Sequence, residues 1–318
     1  MQKMTHRITP ELRLLMFEHH DYCSSCGYKF KEGDTSHSGY SKNDEPLYVC
    51  DDCDHLLEET AVRNVFMPRF YEIPPDKCKL WRYMDFTKFV SMLSMKGLYF
   101  ARADCFQDIY EGAKGTLKNK SKWDQFYLSF FKELIMNPPD GSEVTYTDEE
   151  IESQAEKLLH DLEKGGINGK KRTFINCWHE NENESEAMWR LYSSYLENAI
   201  AIRTTYKSLY ESLGRNPSIK IGRVKYIDYQ KNFAGVNDSF WCKRNSFEHE
   251  KEVRAIILDM HHLEKGKVIP CDLSQLLEEV FISPNAPNWF GELVNDVIDK
   301  YGLSIKVSPS ELIQEPFF

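Results

Sequence analysis

Apolar and polar residues alternate in short stretches of the chain, and this pattern predicts strands separated by amphipathic helices. Helices are predicted where apolar residues recur every three or four positions, for example after Asp85, a typical N-cap residue. The predicted strands of the C-terminal part lie at 78–84, 98–102, 174–178, 198–203, 223–229, 250–258, 280–282 and 303–307. They outnumber the helices and no βαβ unit recurs, which is typical of the α+β class.

Residues 115–172 differ from their surroundings because they are helical and strongly charged, and we interpret them as an insertion. Thr147 and Glu150 form a capping box, which predicts that an acidic helix begins there. The segment from 165 to 172 is rich in glycine and basic residues, so we expect a flexible turn rather than a phosphate-binding loop. Basic residues lie near both ends of the insertion, at Lys118, Lys120, Lys122, Lys170, Lys171 and Arg172.

The N-terminal part contains two C-x2-C motifs, Cys23-x-x-Cys26 and Cys50-x-x-Cys53. Four thiolates at this spacing can surround one Zn²⁺ tetrahedrally, and we therefore predict a zinc-ribbon-like module over residues 1–70. Redox pairs or unrelated thiols are the alternatives. The second motif is expected to open a helix at about 55–65.

His37 lies between the two cysteine motifs, where HNH-type nucleases carry their catalytic histidine. The module partly resembles these nucleases, so one hypothesis gives His37 the role of a general base. The adjacent histidine and the downstream Asn and His of that family are not evident here. The alternative is that His37 is a structural residue of the zinc ribbon and has no catalytic role.

The prolines Pro68, Pro74 and Pro75 predict a linker over 66–75, because each proline removes a backbone donor and stiffens the chain. We expect the second domain to span residues 77–318. With the N-terminal module, this gives two folding units joined by a short connection.

Composition indicates an ordinary globular core, with 318 residues of which 41% are hydrophobic. No apolar run is long enough for a membrane span and no secretory signal is visible, so we expect a cytoplasmic protein without a membrane partner. Nine cysteines without an export signal favour metal binding over disulfides. The net charge of −10 argues against a broadly basic surface but leaves room for local basic patches.

The segment 247–258 passes from charged to apolar residues and carries the strongest candidate chemistry. If it is a strand from residue 250 onward, its period-2 geometry places Glu250, Glu252 and Arg254 on one face. Two carboxylates beside a guanidinium can have perturbed pKa values, which acid–base and electrostatic catalysis often require. The alternative is an edge strand whose charges pair across the sheet surface.

Several motifs follow one another in a set order along the second domain. They are Leu80-Trp-Arg82-Tyr83, Gly97-Leu-Tyr-Phe100, Phe106-x-Asp108-x-x-Glu111-Gly112, Met188-Trp189-x-x-Tyr192, Ala199-Ile-Ala-Ile202 and Phe247-x-x-Glu250-x-Glu252-x-Arg254. In order and spacing, residues 79–285 resemble a largely uncharacterised bacterial family with F-x-D-P-F-E, M-W-x-x-Y-A and W-x-x-E-x-E-x-R motifs. The chain departs from it where Ile109 and Tyr110 replace Pro and Phe.

That family is similar to the ADP-ribosyltransferases, whose core is a split β-sheet that binds NAD. The resemblance implies that Arg82 is the first-strand arginine, Tyr192 the middle aromatic residue and Glu252 the second acid of Glu-x-Glu. No clear Ser-Thr-Ser motif follows a strand here. The resemblance further implies NAD as a substrate, with a cofactor-binding set made up of Arg82, Tyr83, Phe106, Asp108, Trp189, Tyr192 and Arg254.

A catalytic role for each residue follows from the resemblance. Cleaving the bond between nicotinamide and ribose develops positive charge on the sugar, which the Glu252 carboxylate would stabilise. Glu250 would orient or deprotonate the acceptor, and Arg82 would hold a phosphate or ribose oxygen. Trp189 or Tyr192 would stack on nicotinamide. In the structural alternative, Arg82 pairs with Glu250 and the two aromatic residues belong to the core.

We therefore predict an NAD-dependent ADP-ribosyltransferase of the toxin or phage-defence type, acting on a macromolecule, with an antitoxin protein as a candidate partner. RNA or DNA is a candidate acceptor, because zinc ribbons often bind nucleic acid and the insertion supplies local positive charge. The alternatives are an HNH-like nuclease and a zinc-containing binding module without catalytic activity. Release of nicotinamide from NAD would distinguish the first hypothesis from the other two.

Overall fold

The computed structural model describes residues 4–7, 22–31, 33–40, 46–56, 71–137, 145–192, 197–216 and 218–317. Most of the helix expected at 55–65 and the first part of the expected linker lie outside these ranges. Within them, no helix is both long and apolar enough to cross a membrane. The described residues combine helices with one large mixed sheet, so the α+β class is confirmed.

A small antiparallel sheet forms the N-terminal module. Its strands are Met4–Arg7 (β1), Thr35–Tyr40 (β2) and Pro46–Cys50 (β3), in the order β1-β2-β3. A 3-10 turn at Asp51–Cys53 follows β3 directly. The buried residues of the module include Phe30, Tyr48 and Val49 together with three of its cysteines, so apolar burial and the thiols share one small core.

One large sheet organises the rest of the described chain. The strands that follow are Lys79–Asp85 (β4), Gly97–Arg102 (β5), Thr173–Glu180 (β6), Ala199–Thr205 (β7), Ile219–Arg223 (β8), Lys225–Ile227 (β9), Cys242–Arg244 (β10), Glu252–Leu258 (β11), Gly266–Pro270 (β12), Glu279–Ile282 (β13) and Lys306–Pro309 (β14). Strands β9 and β10 form a separate parallel pair, and the other nine form the large sheet. The strand predicted at 223–229 is therefore wrong, because the chain changes sheets after Arg223.

Helices flank the large sheet and make up most of the described part of residues 115–172. They are Phe86–Met95 (α1), Lys120–Met136 (α2), Asp148–Lys170 (α3), Glu186–Tyr192 (α4), Tyr206–Ser212 (α5), Leu273–Leu276 (α6) and Asn288–Lys300 (α7). The capping box at the start of α3 is confirmed. The expected turn at 165–172 is wrong, since α3 continues to Lys170. A Cβ on Gly166 would lie 3.1 Å from Nζ of Lys114, so this glycine permits a close approach within a packed helix.

Helix α1 begins as its sequence predicts, and it ends at a residue with a left-handed conformation. Asp85 accepts a hydrogen bond from the Lys88 backbone N–H at 2.8 Å, which confirms it as the N-cap. The left-handed residue at the other end is Lys96, with φ 48°, and not Gly97. A Cβ on Gly97 would lie 2.5 Å from the backbone oxygen of Ile269. The neighbouring strand β12, rather than the helix cap, therefore requires glycine there.

The large sheet branches at β6. One edge of β6 pairs with β11 over residues 173–179. The other edge pairs with β5 at 174–175 and with β4 at 179–180. Strands β4 and β5 therefore diverge beside 176–178, and Arg82 on β4 lies at the branch. The overall strand path is β12-β5-β6-β4-β7-β13-β14, with β11 and then β8 on the second edge of β6.

The main hydrophobic core covers one face of the large sheet. Phe89, Leu209 and Phe290 bring α1, α5 and α7 into it, and Trp178 of β6 faces it from the sheet. Because neighbouring residues of a strand point to opposite faces, His179 faces the other side. That second face carries a smaller aromatic cluster that includes Trp81 and Tyr83. Glu252 and Arg254 alternate with the core residue Val253 and also face this side, whereas Arg82 lies between Trp81 and Tyr83 and points to the same side as Trp178.

The turn at 22–29, which carries the first cysteine pair, packs directly against the larger domain. The ring of Tyr22 stacks on that of Tyr210 in α5, with centroids 5.7 Å apart. The guanidinium carbon of Arg215 lies 4.3 Å from the centre of the Tyr22 ring, and Nη1 donates to the Gly27 carbonyl at 3.3 Å. Tyr22 thereby joins the main hydrophobic core, and the module is docked on α5.

The segment that leads into β4 is also packed. The ring of Tyr71 stacks on Trp241 with centroids 4.0 Å apart. Asp76 forms an ion pair with Lys29 of the module. The linker prediction is therefore wrong for residues 71–75, because they belong to the folded domain rather than to a tether.

We predict that Tyr22→Ala separates the unfolding of the module from that of the larger domain. Removing this buried ring should cost about 3 kcal/mol of docking free energy, while Arg215→Ala should cost about 1 kcal/mol by removing a cation–π contact. Tryptophan fluorescence reports only the larger domain, because all six tryptophans lie between residues 81 and 289. Zinc release to a chromogenic chelator reports the module. Coincident transitions in Tyr22→Ala would contradict the docking contact.

Candidate active site and metal centre

The four cysteines of the two C-x2-C motifs come together in the N-terminal module. Their sulfur atoms all lie within 4.8 Å of one another, and Sγ of Cys26 is 3.7 Å from Sγ of Cys50. A tetrahedral site with Zn–S bonds of about 2.3 Å has sulfur–sulfur separations of about 3.8 Å. Cys23, Cys26, Cys50 and Cys53 therefore fit a single Zn²⁺ ion.

Backbone N–H groups around Cys23 favour its thiolate. The Cys50 N–H donates to Sγ of Cys23 at 3.4 Å. Burial raises the pKa of Cys23, but backbone hydrogen bonds from Cys26, Cys50 and Ser25 outweigh it and lower the pKa to about 7. The thiolate is the form that binds metal, so the surroundings of Cys23 suit a zinc ligand.

His37 lies on β2, outside the cysteine cluster. Its Nε2 is 2.8 Å from Oδ1 of Asp51, and its Nδ1 is 3.5 Å from Oδ1 of Asp54. These contacts connect β2 to the turn that carries the second cysteine pair. Among the described residues, the cysteines form the only group of metal-ligating side chains. A catalytic role for His37 stays a prediction.

The acidic segment before β11 folds as a turn rather than as the start of a strand. Glu250 ends a 3-10 turn at Asn245–Glu250, and β11 begins only at Glu252. Between them, Lys251 has a left-handed φ of 39°. The strand prediction is therefore wrong for Glu250. The turn nevertheless brings the two carboxylates together, because both bind the same lysine, Lys243.

Lys243 on β10 connects the two glutamates. Its Nζ donates to Oε2 of Glu250 and, at 3.0 Å, to Oε2 of Glu252. Lys243 and Glu250 are each 7% exposed and Glu252 is 4% exposed. The centre of the Phe247 ring lies 4.8 Å from Nζ, so an aromatic face covers the ammonium group. A buried lysine held between two carboxylates thus forms the middle of the site.

Arg254 is fully buried and holds Glu252 from the other side. Its Nε donates to Oε1 of Glu252 at 2.7 Å, and its Nη2 donates to Oε2 at 3.0 Å. The same guanidinium donates to the Glu111 carboxylate at 2.7 and 3.3 Å, and to the Phe240 carbonyl at 2.6 Å. Paired hydrogen bonds of this kind fix direction as well as distance. Arg254 therefore sets the orientation of the Glu252 carboxylate.

These contacts decide which carboxyl groups are ionised. Burial would raise the pKa of Glu252, but the charges of Arg254 and Lys243 outweigh it and lower the pKa to about 2. Burial raises the pKa of Glu111, which has Arg254 as its neighbouring cation. Burial lowers the pKa of Lys243, but the two glutamates outweigh this effect and raise it. Glu252 is therefore suited to stabilising positive charge and to accepting hydrogen bonds, not to donating a proton.

Glu252 borders a cleft of about 380 Å³ at the C-terminal end of β6. Small-molecule sites typically have volumes of about 300–1,000 Å³. The Glu252 backbone N–H donates to the Tyr226 hydroxyl at 2.7 Å, which ties the cleft wall to β11. The residues that line the cleft are Glu180, Asn181, Glu182, Arg223, Val224, Tyr226, Lys251 and Glu252. The acid of the predicted site is thus next to a space for a ligand.

The aromatic residues expected at the NAD site differ in accessibility. Tyr192 is 45% exposed, and its hydroxyl donates to Oε1 of Glu250 at 2.9 Å. Trp189 is 1% exposed and packs edge-on against Tyr83, with ring centroids 5.0 Å apart. Trp189 therefore belongs to the core, as the structural alternative expects, whereas Tyr192 does not. Tyr83 belongs to the same buried cluster as Trp189. Tyr192, in contrast, is accessible to solvent.

The segment 106–112 supplies carboxylates to two different arginines. Glu111 binds Arg254, and Oδ1 of Asp108 accepts from Nη2 of Arg244 at 2.7 Å. The guanidinium carbon of Arg244 lies 4.7 Å from the centre of one aromatic ring and 5.1 Å from another, those of Tyr110 and Phe247. The ring of Phe106 packs against a buried aromatic cluster. The two acids of this motif therefore hold arginine side chains of the site in place.

Arg82 lies at the branch of the sheet, where its guanidinium carbon is 5.9 Å from the centre of the Trp178 ring. Its Nη1 is buried and has no hydrogen-bond partner among the described residues. Burial lowers the pKa of Arg82. The expected alternative, an ion pair with Glu250, is not formed, because Glu250 is held by Lys243 and Tyr192 instead. An unpaired buried donor is costly, so a ligand oxygen would stabilise Arg82.

Lys243, Glu111 and His179 are parts of the site to which the sequence did not point. Nδ1 of His179 is 2.6 Å from the Glu250 carbonyl oxygen, and His179 lies opposite Glu252 in the register of β6 and β11. Glu111 could have been assigned, since it belongs to one of the quoted motifs. No local pattern marks Lys243, because its contacts depend on the turn that folds the chain back onto β10.

Three solved structures are similar to this chain. All are of DarT from Thermus sp. 2.9, in complex with ADP-ribosylated ssDNA, with carba-NAD+ and with NAD+. In that order, they are 9%, 10% and 9% identical to it, with TM-scores of 0.35, 0.34 and 0.34. The overlaps cover 77%, 75% and 76% of this chain and 100%, 97% and 99% of theirs. No protein-family model and no curated protein matches the chain.

We predict about one zinc ion per chain in the purified protein. The double variant Cys26→Ser and Cys50→Ser should lose it, because one ligand is removed from each motif. Elemental analysis measures the metal, and Cys105→Ser is the control, since Cys105 is an exposed thiol outside the cluster. Unchanged zinc content in the double variant would refute the assigned ligands.

Proposed function

We propose that this protein is an NAD-dependent ADP-ribosyltransferase that modifies a macromolecule, with its reaction centre at Glu252. The main support is the convergence of the motif segments 106–112, 188–192 and 247–254 on one charged network. They are distant in sequence, and they are segments in which the chain resembles the transferase-like family. Their meeting beside a cleft is an arrangement typical of a substrate site.

Glu252 would act on the sugar. In the proposed reaction, the bond between nicotinamide and C1 of ribose breaks, and its electron pair leaves with nicotinamide. The ionised Glu252 carboxylate would stabilise the positive charge that develops on ribose and accept a hydrogen bond from a ribose hydroxyl. Because Arg254 and Lys243 already hold the carboxylate, it would not have to reorganise during the reaction.

Glu250, Tyr192 and Arg82 would act on the other reacting groups. As the acceptor atom forms its bond to C1 of ribose, its proton would pass to Glu250. Tyr192 donates to Glu250 and would orient it. The unpaired Nη1 of Arg82 would bind a phosphate or ribose oxygen of NAD. Arg254 is saturated by protein acceptors, so we assign it a positioning role in place of the expected contact with NAD.

The zinc module would help to engage the acceptor, for which RNA or DNA is a candidate. Exposed lysines of the insertion, Lys118 and Lys122, supply positive charge for a polyanion. The toxin or phage-defence role and the antitoxin partner are implied by the resemblance, and they remain predictions.

We predict that Glu252→Gln abolishes nicotinamide release from NAD, with a loss of about a hundredfold or more. The substitution keeps the shape of the side chain but removes the charge that stabilises the sugar. It also weakens a buried ion pair, so it should lower the free energy of unfolding by about 3 kcal/mol. Wild type and variant are incubated with labelled NAD and separate pools of protein, RNA and DNA, at a temperature where circular dichroism shows both to be folded.

Glu111→Gln is the matched control for this experiment. Glu111 binds the same guanidinium as Glu252 and is also buried, but it does not line the cleft. It should lose stability while keeping turnover within about tenfold of wild type. Equal losses of turnover in the two variants, at the same folded fraction, would show that Glu252 has only a structural role.

The nuclease alternative has one observation in its favour, the contact of His37 with Asp51 at 2.8 Å. A histidine oriented by a carboxylate can act as a general base. Metal-dependent cutting of DNA or RNA that His37→Ala abolishes would support this alternative. Nicotinamide release without strand cutting would support the transferase.

A further inference from the structure

Lys243 binds both glutamates of the site, although the proposed reaction gives it no role of its own. Its Nζ donates hydrogen bonds to Oε2 of Glu250 and to Oε2 of Glu252. Oε1 of Glu250 then accepts from Tyr192, and Oε1 of Glu252 accepts from Arg254. Each carboxylate is therefore held at both oxygens, and the two are joined only through the lysine nitrogen.

The charge balance of the buried network also depends on this lysine. With every group ionised, Glu111, Glu250 and Glu252 carry three negative charges against the two positive charges of Lys243 and Arg254. Without Lys243, three carboxylates would face a single guanidinium. Like charges in a buried site cannot all stay ionised, so one carboxyl would take up a proton near neutral pH.

We propose that Lys243 is a positioning residue that sets the relative places of Glu250 and Glu252, so that one carboxylate faces the ribose and the other the acceptor. The catalytic part of this inference rests on the proposed function. The electrostatic part concerns only the folded protein and can be tested without any substrate.

The surroundings of the ammonium group define what a pH experiment would detect. Arg244 lies on the same strand as Lys243, and Glu250 lies in the turn that follows it. The other titratable and charged groups around the ammonium group are Cys177 on β6, Tyr226 on β9, Glu252 and Arg254 on β11, and Glu111 after β5. Tyr192 on α4 and His179 on β6 contact Glu250. The buried carboxyl groups are those whose charge Lys243 compensates directly. Their ionisation should therefore respond most to its removal.

The first test compares the pH dependence of thermal stability in wild type and Lys243→Met. In wild type, the pKa of Glu252 is depressed in the folded state, so its contribution to stability is present above its unfolded value of 4.5 and is lost as pH falls towards about 2. Burial already raises the pKa of Glu111 in wild type, and Lys243 counteracts this effect. In Lys243→Met, the pKa values of the buried carboxyl groups should therefore rise further in the folded state, so more of the stability is lost as pH rises. The difference in Tm should grow from about pH 4 to about pH 8.

Two further variants separate charge from geometry. Lys243→Arg keeps the positive charge, so it should show the pH profile of wild type. It cannot place one nitrogen between both carboxylates, so it should not restore their relative positions. Lys225→Met is the matched control, because Lys225 is an exposed lysine on the neighbouring strand, paired in register with Cys242. Its Tm should differ from that of wild type by the same amount at every pH. A difference between Lys243→Met and wild type that is constant across pH would overturn the electrostatic part.

The second test measures NAD hydrolysis and transfer to the acceptor separately. Lys243→Arg should lower transfer about tenfold or more relative to hydrolysis, because the positions of the two glutamates shift against each other. An unchanged ratio of transfer to hydrolysis would overturn the catalytic part of the proposal. If wild type itself does not cleave NAD, the proposed function fails together with this catalytic part. The pH profiles then still decide whether Lys243 compensates the glutamates.

Discussion

The guanidinium of Arg254 has to be satisfied inside the protein, and the structure around the site depends on that requirement. A buried charge is tolerated only when it is paired and hydrogen-bonded, and Arg254 has acceptors from three parts of the chain. Glu111 comes from the loop after β5, the Phe240 carbonyl from the approach to β10, and Glu252 from the start of β11 itself. Segments far apart in sequence are thereby brought to one point beneath the cleft.

The same requirement gives Glu252 a structural role in addition to the chemical role that we propose for it. Its buried carboxylate binds the Arg254 guanidinium through two hydrogen bonds, and the residue also lines the cleft. The left-handed conformation of Lys251 is part of this arrangement, because it turns the chain between two residues whose carboxylates share Lys243. A non-glycine residue in this conformation is strained, and the strain is tolerated where the surrounding contacts determine the backbone.

Much of the fold could be predicted because local chemistry dictates it. Asp85 and the Thr147–Glu150 pair cap their helices as their side chains allow, and the four cysteines approach one another as their spacing requires. The failures have a common physical cause. The helical path through Gly166 and the break in the strand before Glu252 depend on contacts with distant residues, which local patterns do not contain.

For the site, the motif order identified Glu250, Glu252 and Arg254, and the structure brings them together. It could not identify Lys243, since β10 is a strand of three residues that carries no periodic signal. It also could not separate Trp189, which the fold buries, from Tyr192, which it leaves half exposed. Helical spacing places both residues on neighbouring positions, and only tertiary packing decides which one meets solvent.

The cysteine-bearing turn is docked on α5, so metal binding by the cysteines would also affect the stability of the larger domain. Tyr22 belongs to the main hydrophobic core, while its neighbour Cys23 belongs to the four-cysteine cluster that fits a metal ion. A metal that binds only the folded form stabilises it in proportion to the logarithm of the free-metal concentration. If the cysteines bind zinc, Tyr22 would extend that linkage beyond the small module, and the free zinc concentration would affect the stability of the whole protein.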